Sequence, residues 1–177
     1  MKVIAYCARE YTASARQAAG VEPFTSPPFT ADDPTLPRFL SGAGFLYLCL
    51  HGLLNNPRWY GDNGLPALTA EQVRATDLTG AVVVAANCYL VDGAAPMLDA
   101  LLDAGAAHVI GGRGPNYAGY DVLLGAPLLA QWLRRLLAWH VPVRPALALA
   151  RQRVALSLPR NVGAALDTLD FRDYVRA

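Results

Sequence analysis

The chain carries a single lysine, at position 2, only three cysteines and no long uninterrupted hydrophobic run. Each shortage narrows what the protein can be. Arginine supplies nearly all the positive charge, and 15 Lys plus Arg against 14 Asp plus Glu leave a formal charge of +1. A surface so balanced gathers neither a phosphate backbone nor an anionic lipid face, so nucleic acid is not an expected partner. Cys7, Cys49 and Cys88 are too few and odd in number for a disulfide framework. The opening MKVIAYCARE lacks the apolar segment of a secretory leader, and a reducing cytoplasm is the expected compartment. The most apolar stretch, LLGAPLLAQWLRRLLAWH, is interrupted by Arg134 and Arg135 and falls short of the ~20 residues a bilayer requires, so no membrane association is expected. Neither a Cys-x-x-Cys pair nor a His-x-x-x-His helix is present, and the glycines of IGGRGPNYAG lack the Gly-Lys-Ser/Thr ending of a phosphate loop. No metal and no organic cofactor is expected.

What the chain does have is apolar bulk. A hydrophobic fraction of 54% over 177 residues is enough for one full core and too short a length for two comfortable domains, so a single domain over 1–177 is expected. Val3 to Tyr6, Phe45 to Leu50, Ala81 to Ala86 and Ala107 to Ile110 are apolar runs without alternation, as strands covered on both faces are. Between them lie helical stretches: Thr12 to Ala19 closed by Gly20, a short helix opened by the capping box Thr69-Ala70-Glu71-Gln72, and one that begins at Pro96. Two longer helices follow, near Leu123 to Trp139 and Arg144 to Leu156, the first with an apolar core face and with Arg134 and Arg135 outward. The Pro-rich stretch to Pro37 reads as loop or irregular edge, and the segment Leu53 to Leu68 as loop. Strands alternating with helices predict an α/β fold, a mostly parallel central sheet flanked by helices in three layers.

His51 and Cys88 each stand just past the carboxyl end of a predicted central strand. Loops converge on one crevice at that edge of an open α/β sheet, so side chains placed there can share a substrate. A thiol attacks an acyl carbon as thiolate, and a nearby imidazole can take its proton and later protonate the leaving amine. Gly52 has no Cβ, so its N–H can approach an oxyanion closely, as can the N–H of Cys88. A lone cysteine after an apolar strand is more often a buried small hydrophobe, and Cys7 and Cys49 are read that way. His108 and His140 do not share the location of His51 and are read as structural or surface residues.

The order FLYLCLHG, LPALTAEQV, AVVVAANCYL, LLDAGAAHVIGGRGP and ALALARQ resembles the CHAT group of caspase-like cysteine peptidases over roughly residues 45 to 155. The resemblance implies a caspase-like sandwich and a peptidase acting on protein or peptide substrates, with His51 as acid and base, Cys88 as nucleophile and Gly52 with Cys88 as oxyanion donors. It also implies control by a regulatory protein partner, since domains of this group commonly serve as regulated effectors in larger bacterial assemblies. Where the family usually has Ser-Ala-Cys followed by an acidic residue, this chain has Ala86-Asn87-Cys88-Tyr89-Leu90. Asp92 is the candidate substitute for that acid at the rim of a pocket for a basic P1 side chain, although Asp is equally at home in a turn or helix cap there. Asn87, Arg113 and Asn116 are further candidate substrate contacts. The alternative reading is a catalytically silent caspase-like domain used for binding or assembly.

Overall fold

The computed structural model describes residues 1–116, 118–157 and 170–176. Its frame is a six-stranded sheet of β1 (Val3–Ala8), β2 (Phe24–Ser26), β3 (Phe45–Cys49), β7 (Val82–Ala85), β8 (His108–Gly111) and β9 (Arg172–Tyr174), in the order β2-β1-β3-β7-β8-β9. All neighbours pair in parallel except β9, which runs antiparallel on β8. A smaller antiparallel sheet of β4 (His51–Gly52), β5 (Arg58–Tyr60) and β6 (Pro66–Thr69) follows directly on β3. Among the described residues no helix is long and apolar enough to cross a membrane.

The uninterrupted apolar runs have their physical reason in the two cores they serve. Successive side chains of a strand point to opposite faces, and in β3 Leu46 and Leu48 enter one core while Phe45, Tyr47 and Cys49 enter the other. The first core is closed by α2 (Leu36–Leu40), α3 (Ala70–Arg74) and α4 (Pro96–Asp103), the second by α1 (Thr12–Ala19), α5 (Ala126–Ala138) and α6 (Val143–Ala155). Helices thus cover both faces of a mostly parallel sheet, an α/β arrangement compatible with a three-layer sandwich. A polar residue at any inward position of β3 would be left without a partner in one core or the other, which costs several times the gain from an ordinary hydrogen bond.

Local signals place most of the helices. Gly20 ends α1 in the left-handed conformation at φ 69°, donating its N–H to the Arg16 carbonyl at 2.7 Å. At the start of α3, Thr69 Oγ1 accepts from the Gln72 N–H at 3.2 Å and Gln72 Oε1 accepts from the Thr69 N–H at 3.1 Å. Gln72 Nε2 also donates to the Ala31 carbonyl at 3.0 Å, so the cap pins the loop ahead of α2.

Three expectations are corrected. The segment 53–68 is not simple loop, because Arg58–Tyr60 and Pro66–Thr69 form strands that bury Trp59 and Leu68 against the first core. The Pro-rich stretch does supply an edge strand, β2, but it runs into a helix, α2, fixed by the buried Leu36 and Leu40. Arg134 does not point freely outward: its Nε donates to the Ala18 carbonyl at 3.2 Å and its guanidinium lies against Gly20.

Two outcomes follow. Thr69→Ala removes the cap and is expected to cost about 1 kcal/mol in urea unfolding, with Gln72→Ala costing a comparable amount. Burial, the largest cause, pushes the Cys7 thiol pKa well up and the Cys49 thiol to about 12. An unfolded thiol titrates near about 8.5, so the stability these neutral thiols contribute is complete below that pH and is lost as pH climbs through the folded values. Melting temperature should be level up to about pH 8.5 and fall above it, less steeply in a Cys7→Ala, Cys49→Ala double variant.

Candidate active site

Strand order sets where the site lies. From β1 the chain steps to β2 on one side, whereas from β3 it proceeds to β7 and β8 on the other. The connection after β1 runs through α1 on the second core and the connection after β3 through α3 on the first. The loops leaving these two strands therefore part to opposite faces, the arrangement that in open α/β sheets makes a crevice at the strands' carboxyl ends.

Register brings the side chains to one level. Leu48 of β3 pairs with Ala85 of β7, and the ladder extends to the Ala86 N–H donating to the Leu48 carbonyl at 2.8 Å. His51 and Cys88 are each three residues beyond the paired positions Leu48 and Ala85. Adjacent strands lie about 5 Å apart, and past the ladder the two segments remain in contact. A Cβ on Gly52 would stand 2.1 Å from the Cys88 carbonyl oxygen and 3.3 Å from the Cys88 nitrogen. Gly52 thus serves first as the absence of a side chain, letting the His51-Gly52 backbone lie against Cys88.

His51 is held from the neighbouring strand. Glu10, in the 3₁₀ turn that follows β1, places Oε1 2.8 Å from His51 Nε2, and the side chains keep 36% and 42% of their surface exposed. The Glu10 backbone is itself fixed, its N–H donating to Asp62 Oδ1 at 3.1 Å across to the turn of the small sheet. Tyr11 packs on His51 with ring centroids 5.5 Å apart and stacks on Tyr120 at 5.3 Å. Burial pushes the Tyr11 phenol pKa well up, with the sulfur of Cys49 and the Glu10 carboxylate adding to the effect, so it forms a neutral wall.

Cys88 is the one half-buried cysteine of the three, Cys7 and Cys49 being buried. The Asn116 N–H donates to its Sγ at 3.2 Å, and the Asn116 carbonyl lies 3.5 Å from the same sulfur. Tyr89, the next residue, has φ 58°, a left-handed conformation that costs a bulky residue energy and marks a tightly turned strand end. Its N–H donates to the Gly114 carbonyl at 2.8 Å. No hydrogen bond from the Cys88 N–H is found among the described residues.

The remaining candidates fall apart. Asn87 is 1% exposed, so it turns into the interior and offers no surface to a substrate. Among the described residues neither its amide nor that of Asn116 has a hydrogen-bond partner. Asp92 accepts a hydrogen bond from the Gly114 N–H, so its carboxylate ties the loop after β7 to the loop after β8 and caps no helix. Arg113 is exposed in that same loop. His108 of β8 lies 2.9 Å from Asp173 of β9 and has a structural part in pinning the edge strand. Among the described residues no group of three or more His, Cys, Asp or Glu is arranged to hold a metal ion.

Glu10 is the residue that sequence reasoning missed. The signal lay in its position: β1 also ends at this edge, and an acid two residues past that end is as well placed as His51 is past β3. Neither models of protein families nor curated protein sequences match this chain.

Replacing Gly52 with Ala forces the new methyl into the Cys88 carbonyl, backbone that cannot step aside cheaply. Gly52→Ala should lower unfolding stability by about 1–3 kcal/mol in denaturant titrations.

Proposed function

We propose that the chain is a cysteine endopeptidase of the caspase-like type, in which His51 and Cys88 form the catalytic dyad and Glu10 positions His51. The observation that carries the reading is the abutment of Gly52 on the Cys88 backbone at matched register, with an acid 2.8 Å from the His51 imidazole and an N–H donated to the sulfur. The strand order, with a small antiparallel sheet between His51 and the next central strand, also supports the caspase-like assignment that the sequence resemblance implies.

In this reading Glu10, with Oε1 2.8 Å from His51 Nε2, orients the imidazole, and Nδ1 is assigned as the proton acceptor. Nδ1 takes the Cys88 thiol proton as Sγ bonds to the substrate carbonyl carbon. The oxyanion faces the Cys88 N–H, and collapse of the tetrahedral species breaks the C–N bond while His51 returns the proton to the departing amine. Water, deprotonated by His51, then attacks the acyl-thioenzyme, releasing the carboxylic acid and restoring the thiol. The substrate is a protein or peptide. Arg113 stays at the rim as a candidate contact. Asp92, already bonded to Gly114, is assigned to holding the loop and not to a basic P1 pocket. Asn87 is withdrawn as a contact because of its burial.

Iodoacetamide and peptidyl acyloxymethyl ketone labelling tests the reading by mass spectrometry. Cys88 should react first, and His51→Ala should slow it by about tenfold or more. Equal, slow reaction of all three thiols, indifferent to His51, would show instead a silent binding domain. Incubation with a protein mixture should produce new cleavage fragments that vanish in Cys88→Ser. Glu10→Gln should lower kcat by about tenfold or more with KM little changed and with folding intact by circular dichroism.

A further inference from the structure

Helices α5 and α6 each carry a second apolar stripe beside the one that faces the sheet, although Trp132 and Leu136 also pack in part against the second core. Leu129, Ala130 and Leu133 of α5 and Ala146, Leu147, Ala150 and Val154 of α6 face the second core. A second set recurs at i, i+4, i+7 on α5, Trp132, Leu136 and Trp139, and at i, i+7 on α6, Leu149 and Leu156. This set lines a groove of about 380 Å³ between the helices, in which Trp139 is 70% exposed, Leu156 74% and Leu149 43%. Apolar side chains kept at that exposure along one continuous trough mark an interaction surface more than a scattering of single residues does.

Charge tells what kind of partner fits. The two helices together hold Arg134, Arg135, Arg144, Arg151 and Arg153 and not one Asp or Glu. Of these, Arg153 and Arg135 stand over the Trp132 ring at 4.7 and 5.6 Å. A guanidinium stacked on an aromatic face keeps its edge N–H groups free for a carboxylate and loses less freedom when it binds one. Among the described residues neither forms an ion pair, and no lining residue is acidic. The trough is concave and lined over residues 132–139 and 149–156, ~10 Å at 1.5 Å per residue, the length of about two turns of another helix.

We propose that the α5/α6 groove docks an acidic amphipathic helix of a partner protein, its leucine-type side chains entering between Trp132, Leu136 and Leu149 and its carboxylates meeting Arg153 and Arg135. A lipid surface has no protruding side chains to fill a concavity, and a second copy of this groove would bring arginine against arginine. The surface lies on α5 and α6, away from Cys88, and its use does not depend on the chemistry assigned there.

The probe is a fluorescein-labelled helical peptide of about 18 residues with Leu at i, i+4, i+7 and i+11 and Glu at flanking positions. A twin has Lys in place of Glu. Anisotropy titration of the whole chain should give saturable binding of the Glu peptide, about tenfold or more tighter than of the Lys peptide. Leu149→Asp should abolish it. Arg153→Glu should reverse the preference between the twins, a result that mere unfolding cannot produce. Equal affinity for both peptides, or binding untouched by Leu149→Asp, overturns the proposal. So does binding of phosphatidylglycerol vesicles without the peptide, or concentration-dependent self-association by sedimentation that Leu149→Asp removes. None of these readouts requires peptidase activity.

Discussion

The parallel pairing of β3 with β7 is the constraint on which the site rests. It fixes Leu48 opposite Ala85, so the two chains leave the sheet level with one another, and a slip of one residue would turn every side chain of β7 to the wrong core. The register that buries Val83 and Val84 on opposite faces is therefore the register that brings Gly52 against the Cys88 backbone. Core packing and site geometry are one interaction, not two, and the burial of strands on both faces supplies precision that loops alone could not.

Around that pairing the sheet recruits supports from either side. β1 contributes Glu10 to the imidazole, and the loop after β8 contributes Asn116 to the sulfur. Each of four successive strands, β1, β3, β7 and β8, thus places one group at the same edge. The loops beyond are cross-tied: Asp62 to Glu10, Asn55 to Ala94 through a 2.8 Å bond, and Asp92 to Gly114. Polar residues that look like substrate contacts in sequence are in part the ties that hold this rim.

Much of the frame was legible in the sequence because it is written in burial. β3 and β7 read as unbroken apolar runs since both of their faces are covered, and α1, α3 and α4 carry local start or stop residues, Gly20, Thr69 and Pro96. The small sheet was not legible. β4 has two residues and β5 three, and the stretch holding them is rich in Asn, Gly and Pro; only tertiary contact with the core makes strands of it. The likewise short β9 depends on the His108 to Asp173 pair, a contact between positions 65 apart that no local pattern announces. At the candidate site, the positions of His51, Gly52 and Cys88 just past strand ends were legible in the apolar runs that precede them. Asn87 and Asp92 were misjudged because a side chain's direction past a strand end is set by neighbours, here the interior for one and Gly114 for the other. Glu10 carries no local mark of its own, because only the pairing of β1 with β3 brings it to His51.

The shortage of lysine has a consequence of its own. The one side-chain amine, on Lys2, lies at the start of β1, where its Nζ donates to the Ser41 carbonyl at 2.8 Å. That is the amino-end rim of the sheet, opposite the rim that carries His51 and Cys88. A bead, dye or modifier attached through Lys2 would leave the crevice facing open solution, so this molecule comes with a built-in orientation for immobilisation.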